Sequence, residues 1–225
     1  MYKSLYKRFY KFLKRSPALS NREEIVEKAL RFVCYNGIEG DYLEFGVYLG
    51  RTLAHTYKFC QEFSPKWKHR DLKTMRFHGF DTFEGIPELK GIDKRGTFEE
   101  GQFGVSLEAV KEKLNKKGVD FNKVNLVKGE FKNTLADYDF REKAAVVFFD
   151  CDLYESTRDA LEFVTDKVVD GTVFIFGDWF YFKGNPDKGE QKAFKEWLVY
   201  NPKIKASEFH KWGWEGNSFI IHKND

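Results

Sequence analysis

GDYLEFGVYLGRT, residues 40–52, contains a strand's worth of apolar residues, a single acid at Glu44, and two glycines, Gly46 and Gly50, four positions apart. A helical run follows from Arg51 to Phe63, with Leu53, Tyr57 and Cys60 roughly on one side. Apolar residues that stop at a glycine turn and pass into helical spacing predict a strand–turn–helix unit. Such units build α/β sheets, where ligands bind beyond the carboxyl ends of the strands. The turn therefore holds a nucleotide, holds another ligand, or only redirects the chain.

The rest of the chain repeats the pattern. Upstream, Asn21-x-x-Glu24 resembles a capping box, and Ile25, Val26, Ala29, Leu30 and Val33 recur at helical spacing to about Cys34. Downstream, residues 76–83 read as a second strand ending at Asp81, and Val124 to Val127 as a third before Gly129-Glu130. Ala144 to Phe149 is continuously apolar and stops at Asp150; TVFIF after Gly171 stops before Gly177-Asp178. Helices are expected across 105–117, from a Ser156-x-x-Asp159 cap, and around Ala193, Phe194, Trp197 and Leu198. Strands and helices alternate about five times, and several strands lack polar alternation. That predicts an α/β fold with a mostly parallel sheet covered by helices on both faces. Two closing strands within 207–222, with no long helix between them, predict an antiparallel hairpin at one sheet edge.

Composition narrows the function. The length of 225 residues suits one domain, 21–225, after a separate N-terminal segment. Aromatics at 18% imply a well-filled core, a flat apolar pocket, or both. A net charge of +3 gives no case for nucleic acid. Three cysteines without a CxxC argue for a reducing, cytoplasmic setting and against a disulfide frame. No apolar run reaches about 18 residues, so no transmembrane helix is expected. Residues 1–20 carry six Lys or Arg and no acid. They read either as a membrane-surface helix or as a packing helix, including one that joins a homo-oligomer. Residues 85–104 hold five glycines and Pro87, the composition of a long lid loop.

The chemistry is expected at the strand ends. Glu44, Asp81, Glu130, Asp150 and Asp178 each follow or end a strand, so they converge on one edge of the sheet. Glu44 suits a ligand's amine, Asp81 a ribose, and Glu130 with Phe131 an adenine. The turn departs from the GxGxxG of dinucleotide folds, which lowers NAD and FAD. Asp150 and Asp152 face one way if the strand continues through them and, with Asp178, would form a carboxylate cluster suited to Mg²⁺, Ca²⁺ or Mn²⁺. Alternatively Asp152 caps the following helix. His78 and His210 receive no role.

LEFGVYLGRT, GFDTFEGIPE, GQF, VKGEF, FFDCDLYEST, FGDW and KGEQKAFKEW occur in the order found in the macrocin O-methyltransferase family. The sequence from Gly40 to Trp197 resembles that family of class I S-adenosylmethionine (SAM) methyltransferases, which modify sugar hydroxyls. The resemblance implies a Rossmann-like class I methyltransferase fold, with a seven-stranded, mostly parallel sheet and an antiparallel last strand. It implies SAM along Glu44, Gly46 and Gly50, with its ribose at Asp81. Tyr48, Arg51, Thr52, Thr82, Phe83, Gly129, Glu130, Phe131 and Asp150 complete the expected cofactor set. It also implies a divalent metal, Mg²⁺, held by Asp150 and by an Asp-Asp pair that reads Gly177-Asp178 here, so one expected ligand is missing. The expected reaction is methyl transfer from SAM to a hydroxyl of a small molecule, a sugar or glycoside, with Asp150 as base. Tyr154, Trp179, Phe180 and Tyr181 are candidates for an apolar acceptor wall or for ordinary core. The rival functions are a SAM-binding partner protein without catalysis and a nucleotide-dependent oxidoreductase.

Overall fold

The computed structural model describes residues 21–95 and 98–223. The expected basic helix of residues 1–20, with its membrane or oligomer role, lies outside them. Strand β1 (Asp41–Phe45) runs into helix α2 (Arg51–Glu62), as the opening stretch predicts; α1 (Asn21–Asn36) precedes it. Next come β2 (Phe77–Asp81), α3 (Leu107–Lys116), β3 (Val124–Lys128), the short α4 (Phe131–Thr134) and β4 (Ala144–Phe149). The chain closes with α5 (Tyr154–Val164), β5 (Val168–Phe176), α6 (Gly189–Tyr200), β6 (Ile204–Glu208) and β7 (Asn217–Lys223). Asn21 is already helical, so it is not the cap of α1.

The seven strands lie in the order β3-β2-β1-β4-β5-β7-β6. All pairs from β3 to β5 are parallel, and β7 is antiparallel to both β5 and β6. The expected closing hairpin forms, with β7 inserted and β6 at the edge. Helices cover both faces. On one, α1, α2 and α3 bury Leu30, Leu53 and Val110 against Tyr42, Phe77, Phe148 and Ile175. On the other, α5 and α6 bury Leu161 and Phe194 against Phe45, Phe149 and Phe174. Neighbouring strand residues split between the two clusters because side chains alternate across a strand.

Four of the phenylalanines form one row. Phe80, Phe45, Phe149 and Phe176 are register partners across β2, β1, β4 and β5. Their rings stack with centroids 4.8, 5.6 and 4.8 Å apart. All four are buried. Offset aromatic pairs contribute about 0.5–1.5 kcal/mol beyond their area burial. The row forms a stiff floor at the strand tips: Phe45, Phe149 and Phe176 end their strands, and Phe80 is the last residue but one of β2.

Candidate active site

Gly46, Asp81, Asp150 and Gly177 each follow a phenylalanine of the row. Backbone bonds fasten the tips together: Gly46 N donates to Phe80 O (2.8 Å), Asp150 N to Phe45 O (2.8 Å), and Gly177 N to Phe149 O (2.7 Å). Gly46 has φ 91°, and a Cβ there would run into the Asp150 carbonyl. Its glycine is demanded by the close approach of β1 and β4. The strand order reverses at that pair, which is where α/β sheets open a crevice. A cavity of ≈ 680 Å³ lies there, and among the described residues eleven Asp or Glu side chains face it against five Lys or Arg. Among the described residues the lining is therefore mainly acidic.

The expected residues largely converge. Of the residues expected to hold SAM or a metal, Gly50, Phe83, Gly129 and Asp178 do not line the cavity, and all the others do. Gly50 opens α2 in a left-handed conformation, and a Cβ there would press on Leu114 and Val110. Glu44, 1% exposed, accepts from the Tyr42 hydroxyl at 2.6 Å. Burial lifts its carboxyl to about 8, against the Tyr42 bond, and the Asp150 charge adds to the lift. Asp81 is heavily used: Oδ2 accepts from Val47 N (2.7 Å) and Tyr48 N (2.9 Å), and Oδ1 from Phe83 N (2.8 Å). It braces the glycine turn against the β2 loop, which leaves it little capacity for further donors. Glu130 pairs with Lys132, and Phe131 packs edge-on against Phe45 at 5.4 Å. Tyr48, Phe83, Phe103 and Asp152 around the cavity all have positive φ, 46° to 64°. Such conformations cost about 1–3 kcal/mol each and gather at ligand sites.

The carboxylate cluster differs from expectation. The strand ends at Phe149, and Asp152 turns with φ 62°, so strand alternation does not align it with Asp150. Asp152 is not the cap of α5 either; helix α5 begins at Tyr154 with no cap bond from its own flank. The helix is capped from a distance: Asp93 Oδ1 and Oδ2 accept from Tyr154 N (3.0 Å) and Glu155 N (3.1 Å). Ser156 therefore lies inside the helix. Burial followed by the Asp150 charge raises Asp152 to about 7. Burial and then Asp152 push Asp178 well above the carboxylate range. Glu190, which accepts from Asp178 N at 2.8 Å, is raised by burial and then by Asp178.

The residues do not fit the expected metal. Arg22 Nη1, from α1, donates to Asp150 Oδ2. A Cβ at position 177 would collide with Asp150 Oδ1, so Asp150 fills the room the missing ligand would need. Among the described residues, no three Asp, Glu, His or Cys side chains are arranged to hold a metal ion.

The acceptor wall also differs. Trp179 packs into the core on Phe176 (5.0 Å) and Phe219 (4.8 Å), and Tyr154 bonds Glu196 at 2.7 Å. Tyr181 stacks on Phe98 at 4.8 Å, while Tyr48, Ile86, Phe103, Leu153 and Trp212 provide the apolar wall. The described residues of the 85–104 segment contribute to this wall and pack on one another, with Ile86 N bonded to Gln102 O (2.8 Å) and Gly101 N to Ile86 O (2.8 Å). Arg22, Asp93, Trp212 and Glu215 were not legible as site residues. They lie far along the chain from the strand tips they serve, with no motif to connect them. His78 sits toward the other end of the sheet, between Tyr138 (2.7 Å) and Asp41 (3.3 Å).

Residues 19–196 match the family described as Macrocin-O-methyltransferase (TylF). The chain is 30% identical over 167 residues to an 8-demethyl-8-(2,3-dimethoxy-alpha-L-rhamnosyl)-tetracenomycin-C 4'-O-methyltransferase of Streptomyces olivaceus, covering 72% of this chain. It spans 59% of the length of that curated relative. Among solved structures, the O-methyltransferase NovP superposes with a TM-score of 0.73 at 22% identity, over 89% of this chain and 79% of that one. CalS11, a calicheamicin methyltransferase, does so with a TM-score of 0.71 at 24% identity, over 95% and 90%. At such identities these two likenesses speak for the fold.

Proposed function

Because this chain belongs to the macrocin-O-methyltransferase family, we propose that it transfers a methyl group from SAM to a hydroxyl of a small sugar-bearing acceptor. One observation carries the reading: Glu44, Asp81 and Asp150, tips of three adjacent strands, surround one acidic crevice at the point where strand order reverses. The donor set suits SAM. Glu44 is a buried acid on the wall whose side-chain partner is the neutral Tyr42 phenol, so in its ionised form it fits the ammonium of the methionine part. The β1–α2 turn, held by Asp81, lies along the same part, and Glu130 with Phe131 bounds the adenine end.

SAM supplies a methyl carbon already activated by the sulfonium charge. The chain's share is alignment, worth about 7–11 kcal/mol in favourable cases, and removal of the acceptor's proton. Asp150 takes that proton. General bases of this kind contribute about 10²–10⁴-fold. The 85–104 segment excludes water, and Tyr48, Phe103 and Trp212 offer ring faces to an acceptor. The relative named for methylating a rhamnosyl group supports a sugar acceptor.

Three free cysteines suit a cytoplasmic setting. No described helix is long and apolar enough to cross a membrane. The family match displaces the oxidoreductase reading.

The test is transfer of a labelled methyl from SAM to a panel of sugars and glycosides. Asp150→Asn should lower kcat by about 10²-fold or more and leave SAM affinity nearly unchanged; full turnover in that variant removes the base. The Arg22–Asp150 pair also suits a protein that binds SAM without turnover. SAM binding with no label in any hydroxyl acceptor would select that second reading.

A further inference from the structure

Arg22 occupies an unusual position. Its guanidinium reaches from the first described turn of α1 across to the tip of β4, 128 residues away in sequence, and pairs with Asp150 Oδ2. A second nitrogen stands 3.6 Å from Glu215 Oε1, and the group lies over the Trp212 ring at 5.8 Å. Arg22, Asp150, Trp212 and Glu215 all face the cavity. Two carboxylates and an aromatic face thus hold one planar cation, the arrangement guanidinium geometry favours over ammonium.

Gly177 completes the arrangement. Its backbone is not in the left-handed region that favours glycine, so the chain conformation does not require glycine there. The obstacle to a side chain is Asp150 Oδ1, which occupies the Cβ position. The absence of a side chain at 177 and the presence of Arg22 therefore fix the same carboxylate from its two sides.

We propose that Arg22 is a built-in cation that takes the place of the divalent metal at this crevice, holding Asp150 in one orientation beside its positive charge. A metal ion on Asp150 would have to displace a permanently charged guanidinium and would still lack the ligand that Gly177 does not provide. Arg22 acts through Asp150 and is a positioning residue. Its role in turnover rests on the methyl-transfer reading, but its effect on metal binding does not.

The test is a titration of Mn²⁺ into the full chain with S-adenosylhomocysteine present, followed by electron paramagnetic resonance. The wild-type chain should leave Mn²⁺ free at millimolar concentration. The double variant Arg22→Met/Gly177→Asp should bind one Mn²⁺ per chain, since Asp150 is released and a second carboxylate is added. Thermal unfolding first establishes that the variant is folded. Stoichiometric Mn²⁺ binding by the wild type, lost in Asp150→Asn, would overturn the proposal, as would a folded double variant that binds none. These arms need no acceptor, so they fail independently of methyl transfer. In turnover, Arg22→Met should lose about 100-fold in kcat with little change in the KM for SAM, Arg22→Lys should recover part of it, and EDTA should leave the wild-type rate unchanged. Wild-type activity abolished by EDTA and restored by Mg²⁺ would equally overturn it.

Discussion

Glu44 is a carboxyl that keeps its proton until about pH 8 because it is buried, an effect that outweighs the bond it accepts from the Tyr42 phenol. An ammonium placed beside it requires the ionised form. Binding of SAM or its demethylated product at neutral pH should therefore release a proton, and affinity should rise with pH before levelling off above about pH 8. Calorimetry in buffers of different ionisation enthalpy measures the released proton; Glu44→Gln should bind more weakly and release none. Stability has a matching dependence. The folded carboxyl binds its proton more tightly than the unfolded one, so ligand-free stability is highest below the ordinary value of 4.5 and falls as pH rises toward 8. At this level Glu44, Asp81 and Asp150 were readable, because an acid that ends an apolar strand has a defined position in an α/β sheet. Arg22 was not, because only the folded chain brings α1 to β4. The glycines were readable as a turn, but Gly46 answers to the Asp150 carbonyl and Gly50 to Leu114 and Val110.

The strands and helices rest on the phenylalanine floor and on a few long-range fastenings. Phe45, fully buried, stacks on both Phe80 and Phe149. Phe45→Ala should cost about 3–5 kcal/mol of unfolding free energy, read by urea denaturation. A loss below 1 kcal/mol would show that the row is not a structural floor. Asp93 ties the 85–104 segment to the first turn of α5 through two backbone bonds. Asp93→Ala should cost about 0.5–2 kcal/mol, as for other lost helix caps, and should speed hydrogen exchange at Tyr154 and Glu155. Unchanged exchange there would contradict the cap. The strand–helix alternation was legible from apolar periodicity. The start of α5 was not: Ser156-x-x-Asp159 offered a local cap, whereas the actual acceptor lies some sixty residues earlier in an irregular segment. Asp152 was misaligned for a related reason, since β4 stops at Phe149 and the chain then turns left-handed.

Across the described residues, a mostly parallel sheet with a strand-order reversal gathers eleven Asp or Glu side chains against five Lys or Arg in one crevice. That polarity favours a ligand carrying an ammonium and a sulfonium over a dinucleotide with two phosphates. SAM or S-adenosylhomocysteine at about 100 times its dissociation constant should add about 2.7 kcal/mol of stability. NAD(H) and NADP(H) at the same concentration should add nothing measurable, and equal stabilisation by either would reopen the oxidoreductase reading. The most direct measurement is a crystal structure of the chain with S-adenosylhomocysteine. The ligand should lie over Gly46, with its ammonium at hydrogen-bond distance, about 3 Å, from Glu44 and its sulfur facing Asp150. A ligand seated away from the β1–β4 reversal, or one whose ammonium avoids Glu44, would contradict the account.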